Sequence, residues 1–310
     1  MNRRDFLARA LAVPALAAGA SARSAAAQGP AAVRSATPLG RLSKQAVAVR
    51  ALLGPGSLEE QCQRAQQIGI TGFDLADNPA EWPTMKRYGL VCTMWRLLDP
   101  QAPPGARGGT GRPGWNATGM KEAQGVYLEA YHAGIDQAAA SGVPNMLLQT
   151  GVRGPNLSSE QGMDNTVAFC NAVKAHAEDK NITLCMELVN SKGLQGGVGT
   201  LFDHTSWGVE VIKRVNSPRV KILYDVFHAQ IMEGFIVQTI RDNIQHFAHI
   251  HFGGVPGRHE LDETQELNYR FIAQAIADLN FQGYVAHEWQ VTPGKDPFEM
   301  LKKSMAIINV

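Results

Sequence analysis

The chain has 310 residues, 45% of them hydrophobic, with 31 Gly and 16 Pro. That is enough apolar material for one large core broken by many turns, and it excludes a coiled coil, a collagen or a disordered chain. The formal net charge is +1; without the first 27 residues, which hold four Arg and one Asp, 25 basic and 27 acidic residues remain, a net −2 with no electrostatic footprint for nucleic acid.

The N-terminus reads as a targeting segment. Arg3 and Arg4 form a twin-arginine pair followed by Phe6 and Leu7, a short apolar run reaches about Ala20, and Ala25 and Ala27 satisfy an A-x-A cleavage rule. The pattern resembles a bacterial twin-arginine export signal and implies a periplasmic protein. A membrane span is not expected, because the run is far shorter than the ~20 residues a spanning helix needs and is interrupted by Pro14 and Gly19. The expected organisation is a signal over 1–27, an irregular segment over 28–42 and one catalytic domain over 43–310.

Short apolar runs then alternate with longer helical patterns. The predicted strands are 45–50, 72–76, 90–95, 145–150, 183–188, 221–226, 247–252 and 284–289. The predicted helices cover 58–69 and roughly 120–141, 160–179, 205–215, 231–243, 265–279 and 296–308. Eight strands alternating with helices imply a parallel sheet closed by crossovers, and near-continuous apolar strands fit a sheet buried on both faces. The fold class is therefore α/β, a single (β/α)8 TIM barrel. One long Gly/Pro-rich connection, 102–119, follows the third strand and is either a lid over the barrel mouth or a plain surface loop; Trp115 is its candidate substrate-covering residue. Cys62, Cys92, Cys170 and Cys185 form no CxxC pair, sit in apolar stretches and read as buried small hydrophobes.

Four ligand-type residues stand at the ends of the last four strands: Glu187, Asp225, His251 and Glu288, separated by 38, 26 and 37 residues. One βα unit averages roughly 30 residues, so each gap is one repeat. Strands in a sheet lie ~4.8 Å apart, so four inward side chains at one height can meet on one ion. Singly, each residue is as well explained by a helix cap, a surface ion pair or a structural histidine. Jointly, at the face where barrel enzymes keep their chemistry, they point to one divalent metal. Three carboxylates and an imidazole suit Mg2+ or Mn2+, with Co2+ or Zn2+ as alternatives. No HExxH, cysteine pair or P-loop is present. His228, three residues past Asp225, and Arg258, in the VPGRHE turn, are candidate substrate-binding residues; the competing readings are a helix cap and a surface arginine paired with Glu260 or Glu263.

The segments LYDVFHAQIMEGF (223–235), HIHFGGVPGRHELDETQELNY (249–269) and GYVAHEW (283–289) resemble the hydroxypyruvate isomerase family, within the xylose isomerase-like group of metal-dependent TIM barrels. The similarity covers most of the chain beyond the signal and is clearest from about 183 to 290. It implies that Glu187 and Glu288 are metal ligands and also the acid/base pair, that Asp225 is a third ligand, and that His228 and Arg258 contact substrate. His251 departs from the pattern, since hydroxypyruvate isomerases carry Gln there and ketose 3-epimerases carry His. The export signal is a second departure.

The expected reaction moves a proton between carbons beside a carbonyl through an enediolate, with the two glutamates exchanging acid and base roles. Return of the proton to the neighbouring carbon is isomerisation of a hydroxy-keto acid or keto sugar. Return to the opposite face is epimerisation, and loss of a β-substituent is elimination. Non-catalytic sugar binding in the periplasm and DNA repair are the rival classes; the net charge of −2 and a single ligand cluster speak against the second. The partner expected is a small-molecule substrate, with no nucleic acid and no membrane span, and a homo-oligomer is left open. For targeting, the exported protein is expected to start near Gln28. N-terminal sequencing from a bacterial host tests this: an intact Met1 on cytoplasmic protein, with Arg3 and Arg4 dispensable, contradicts it.

Overall fold

Strand formation follows the apolar runs. The computed structural model describes residues 40–97, 118, 119, 121 and 124–310, and among these the strands are β1 Gln45–Val47, β2 Gly72–Asp74, β3 Val91–Arg96, β4 Asn145–Leu148, β5 Thr183–Glu187, β6 Val220–Asp225, β7 Phe247–Phe252 and β8 Tyr284–His287. All neighbours pair in parallel and β8 closes onto β1, making the barrel β1-β2-β3-β4-β5-β6-β7-β8. β1, β2, β4 and β5 are buried throughout and the other four strands at all but one or two positions, as a sheet covered by helices outside and side chains inside requires.

The helices are α1 Leu58–Ile68, α2 Trp82–Arg87, α3 Gln124–Ser141, α4 Ser159–Lys180, α5 Thr205–Val215, α6 Val226–Met232, α7 Ile236–Asn243, α8 Tyr269–Asp278 and α9 Pro297–Ile308. Two begin with a reciprocal capping box, Ser57 with Glu60 on α1 and Ser158 with Gln161 on α4. Two expectations need correction. The helix expected over 231–243 is two helices, α6 starting directly after Asp225 and α7 after a break at Gly234 and Phe235, both of which have positive φ. The short α2 was not expected; its six residues are too few to carry a helical period. No helix among the described residues is long and apolar enough to cross a membrane.

The core lies in two shells. The larger, between barrel and helices, includes Phe73, Tyr131, Phe169, Phe202, Tyr224 and Trp289, and Met94, Leu147, Cys185 and Leu223 fill the barrel interior. All four cysteines are buried and unpaired, and burial pushes their thiols up, Cys62 to about 11 and Cys170 to about 12. The Tyr131 ring on α3 meets Phe169 on α4 edge to face at 5.3 Å, and its hydroxyl donates to the Leu147 carbonyl of β4 at 2.8 Å. Phe169 is fully buried in this clamp. Phe169→Ala is expected to cost about 3–5 kcal/mol through lost burial and the residual cavity, read from chemical denaturation. A loss near zero would contradict the packing described.

Candidate active site

Strand register assembles the site. In β6 and β7, Asp225 pairs directly with His251, and in β5 and β6, Glu187 pairs with Leu223 two residues before Asp225. Glu288 directly follows β8. With side chains alternating along a strand, Glu187, Asp225 and His251 point inward at the C-terminal mouth, above Cys185, Leu223 and His249. The four expected ligand residues do converge: one donor atom from each of Glu187, Asp225, His251 and Glu288 lies within 4.8 Å of the other three. Asp225 and His251 have no exposed surface and Glu187 is 8% exposed.

Asp225 serves two ends at once. It is the N-cap of α6, accepting from the backbone N–H of Phe227 at 2.8 Å and of His228 at 3.3 Å through Oδ1, while Oδ2 turns into the site. Asp225 is thus a helix cap that also presents an oxygen to the four-residue cluster.

Arg258 reaches the same centre. Its loop leaves β7 through Gly253, where a side chain would collide with the Glu288 carbonyl, and turns at Gly257, whose φ of +87° favours glycine. The guanidinium lies over the Phe227 ring at 4.9 Å, donates to Asp225 Oδ2 at 2.7 Å, and donates to Glu288 Oε2 and to the Glu288 carbonyl. It is therefore no surface arginine; Glu260 instead pairs with Lys295 at 2.6 Å. His228, 2% exposed, lies between Arg258 Nη1, 3.0 Å from Nε2, and Asn190 Nδ2, 2.7 Å from Nδ1. Burial lowers the His228 imidazole to about 4 despite Asp225 nearby. Trp115 and most of the 102–119 connection lie outside the described residues; Thr118 and Gly119 are bonded through their N–H groups to the carbonyls of Gln149 and Thr150, beyond β4.

The carboxylates are driven apart. Burial, with Glu288 alongside, pushes Glu187 up to about 7. Burial acts the same way on Glu288, but Arg258 and His251 outweigh it and hold that carboxyl well below the usual range. On His251, burial opposes charging, and Glu288 and Asp74 overcome it.

Three residues of the site escaped the sequence reading. Asp74, at the end of β2, accepts from His251 Nε2 at 2.7 Å through Oδ2 and from the Thr93 hydroxyl at 2.7 Å through Oδ1, and His249 Nε2 is 3.2 Å from Oδ1. Both Asp74 and His249 are buried. The signal was present: Asp74 obeys the same strand-end rule as the four ligand candidates, and His249 shares the inward parity of His251. Asp74 also lines a cavity of about 1440 Å3 over β1 to β3, with Arg50, Asp77 and Arg96. There Arg50 pairs with Glu81 at 2.9 Å and Arg96 pairs with Asp77.

The donor set fits a divalent cation. Nδ1 of His251 is buried and faces Glu288 Oε2 at 2.6 Å, Asp225 Oδ2 at 3.9 Å and Glu187 Oε1 at 4.0 Å. An imidazole nitrogen among three carboxylates, once its hydrogen gives way to an ion, is what a metal ligand set of this composition offers.

Comparisons with known proteins agree with the barrel. A family model described as a xylose isomerase-like TIM barrel matches residues 62–309. Two relatives are named "Putative hydroxypyruvate isomerase": the one from Danio rerio is 38% identical over 81 residues, 26% of this chain and 29% of the relative, and that from Homo sapiens is 27% identical over 245 residues, 73% and 83%. A 2-oxo-tetronate isomerase from Cupriavidus necator is 27% identical over 132 residues, 43% of this chain and 48% of the relative. The matched stretch thus spans under half the length of two of these three relatives. Among solved structures, an AP endonuclease, family 2, from Brucella melitensis superposes with a TM-score of 0.68 at 20% identity, covering 82% of this chain and 94% of that one. A 3-keto-D-glucoside 4-epimerase from E. coli gives 0.67 at 18% identity, covering 86% and 98%. At such identities the two structures attest the fold, while the family model spans most of the chain: this protein belongs to the xylose isomerase-like TIM barrel family.

Proposed function

We propose that the protein is a metal-dependent isomerase that interconverts a hydroxy-keto acid or keto sugar with its aldehyde isomer, a hydroxypyruvate isomerase-like intramolecular oxidoreductase. The observation that carries this reading is the meeting of Glu187, Asp225, His251 and Glu288 within 4.8 Å, with the buried Nδ1 of His251 turned toward the three carboxylates. These four residues would hold one divalent ion, Mg2+ or Mn2+ by the balance of carboxylate and imidazole. When bound, the ion supplies Lewis-acid stabilisation of negative charge on the substrate's oxygens. The relatives named as isomerases of hydroxypyruvate and of a 2-oxo-tetronate support the reaction class.

The chain's own residues do the proton work. Glu187 and Glu288 come from β5 and from the end of β8, so they approach a substrate at the mouth from different sides. One removes the proton beside the carbonyl and the other returns a proton to the neighbouring carbon; in reverse they exchange roles. Arg258, fixed over Phe227, keeps positive charge beside both Asp225 and Glu288, and His228 presents a neutral imidazole next to it. The cavity over β1 to β3 gives the rest of a hydroxylated substrate a polar wall in Arg50, Asp77 and Arg96. Trp115 is retained as a covering residue in this proposal, and export to the periplasm as its location.

A second reading, epimerisation of a keto sugar, rests on His251 occupying a position where hydroxypyruvate isomerases resemble one another in carrying Gln. Both readings share the proton transfer; the product separates them.

Two predictions follow from the four-residue centre. The protein should bind one divalent ion per chain, be inactivated by chelation and regain activity with Mn2+ or Mg2+; full activity in thoroughly chelated protein would contradict metal dependence. In D2O, with hydroxypyruvate and a panel of ketoses followed by NMR, the loaded protein should exchange the proton beside the carbonyl. Glu187→Gln and Glu288→Gln should each slow this at least ~10²–10⁴-fold, the usual worth of a general acid or base, with metal content measured beside the rate. If both variants keep metal and full exchange, the two-glutamate mechanism is wrong. Metal-bound wild type that exchanges nothing across the panel favours the binding-protein reading.

A further inference from the structure

We propose that Asp74 is a positioning residue for the cation site: from β2 it holds Nε2 of His251 so that Nδ1 faces the centre between Glu187, Asp225 and Glu288 as a lone-pair donor. The inference rests on the metal-dependent reading above and adds to it a residue that stands outside the four-ligand set.

The geometry is directional. Asp74 and His251 lie on strands three apart around the closed barrel, and their side chains cross its interior to meet at 2.7 Å between Oδ2 and Nε2. A carboxylate accepts, so without an ion each ring nitrogen carries a hydrogen, Nε2 toward Asp74 and Nδ1 toward Glu288. An ion seated among the three carboxylates would take the place of the Nδ1 hydrogen, and the hydrogen left on the ring is then the one on Nε2, held by Asp74. The second oxygen of Asp74 is held by the Thr93 hydroxyl at 2.7 Å, which fixes the carboxylate plane. Asp74 is 1% exposed, and no lysine or arginine forms an ion pair with it among the described residues; its partners are Thr93, His249 and His251. A charge this deep persists only when it is paired and hydrogen-bonded, so Asp74 answers to the histidines of β7. Metal-ligating histidines commonly donate their other N–H to such a carboxylate, which fixes ring orientation and raises ligand basicity.

A competing arrangement is a second ion held by Asp74, His249 and His251, whose donor atoms also lie within 4.8 Å of one another. Nε2 of His251 cannot both donate to Asp74 and ligate an ion, and the hydrogen bond at 2.7 Å favours donation.

The test is Mn2+ binding to the full chain without substrate, followed by EPR of free Mn2+, in a double-mutant cycle. Asp74→Asn should weaken Mn2+ binding about 10–100-fold, the usual cost of losing an outer partner of a ligating histidine, with circular dichroism unchanged. In a His251→Gln background the same change should have no further effect, because glutamine has no ring nitrogen for Asp74 to hold. Histidine 1H–15N spectra of Mg2+-loaded wild type should show the His251 hydrogen on Nε2. Should Asp74→Asn not fold, Thr93→Val, which frees one carboxylate oxygen but keeps the charge, should weaken binding severalfold and only while His251 is present; no change overturns the proposal. Unchanged affinity in a folded Asp74→Asn, or an equal loss in both backgrounds, overturns it too, the latter marking a general structural role. Two Mn2+ per wild-type chain, one of them lost in Asp74→Asn, makes Asp74 a ligand and also overturns it. Wild type that binds no Mn2+ sinks the metal-dependent reading and this inference together, whereas wild type that binds while Asp74→Asn binds equally well sinks this inference alone.

Discussion

Three carboxylates held together away from water set the terms for everything else at the barrel mouth. Glu187, Asp225 and Glu288 lie within 4.8 Å of one another around His251. Placed so, like charges repel strongly and lose hydration, and the arrangement survives only with compensating positive charge or a retained proton. The surroundings supply both. Arg258 bridges Asp225 and Glu288, His251 faces all three, and Glu187 is pushed up to about 7 by burial and by Glu288 beside it. A chain that merely folded would gain by replacing such a cluster with apolar side chains. Its presence at the C-terminal face of a barrel is the physical case for a cation and for proton transfer there.

The scaffold exists to keep these groups in register. Parallel pairing places Asp225 opposite His251, and the α6 N-terminus grips Oδ1 of Asp225 so that Oδ2 is left for the site. The Gly253 and Gly257 turn folds Arg258 back over Phe227. Below, the apolar layer of Met94, Leu147, Cys185 and Leu223 is interrupted on one side by His249 and Asp74, a polar seam that reaches from His251 toward the cavity over β1 to β3. The fold alone would not specify a reaction, because this barrel carries many chemistries; the side chains at its mouth carry that information.

What could be read in advance was what repeats along the chain. Eight apolar runs alternating with helical patterns pointed to the barrel, and one ligand-type residue at each of the last four strand ends pointed to the cluster at its mouth, because a strand end fixes both height and facing. What could not be read depended on contacts between distant strands or on very short elements. Asp74 looked like any strand-end acid; its meaning comes from His251, 177 residues away. Helix α6 has seven residues, VFHAQIM, whose apolar composition continues β6 without a visible change of period, so a helix was expected only from 231, and Asp225 was readable as a cap only as an alternative. Arg258 was correctly placed near the site by its turn, yet the sequence could not show its guanidinium pressed against two carboxylates, which requires the loop's positive-φ geometry at Gly257 and at Arg258 itself.

The most direct measurement is anomalous diffraction from crystals of the protein grown with Mn2+. One peak is predicted, within ~2.0–2.3 Å of donor atoms from Glu187, Asp225, His251 and Glu288, with Nδ1 as the histidine donor and Nε2 still on Asp74. No peak at saturating Mn2+, or a peak bound elsewhere with Arg258 still bridging Asp225 and Glu288, would contradict the account of this cluster as a metal centre.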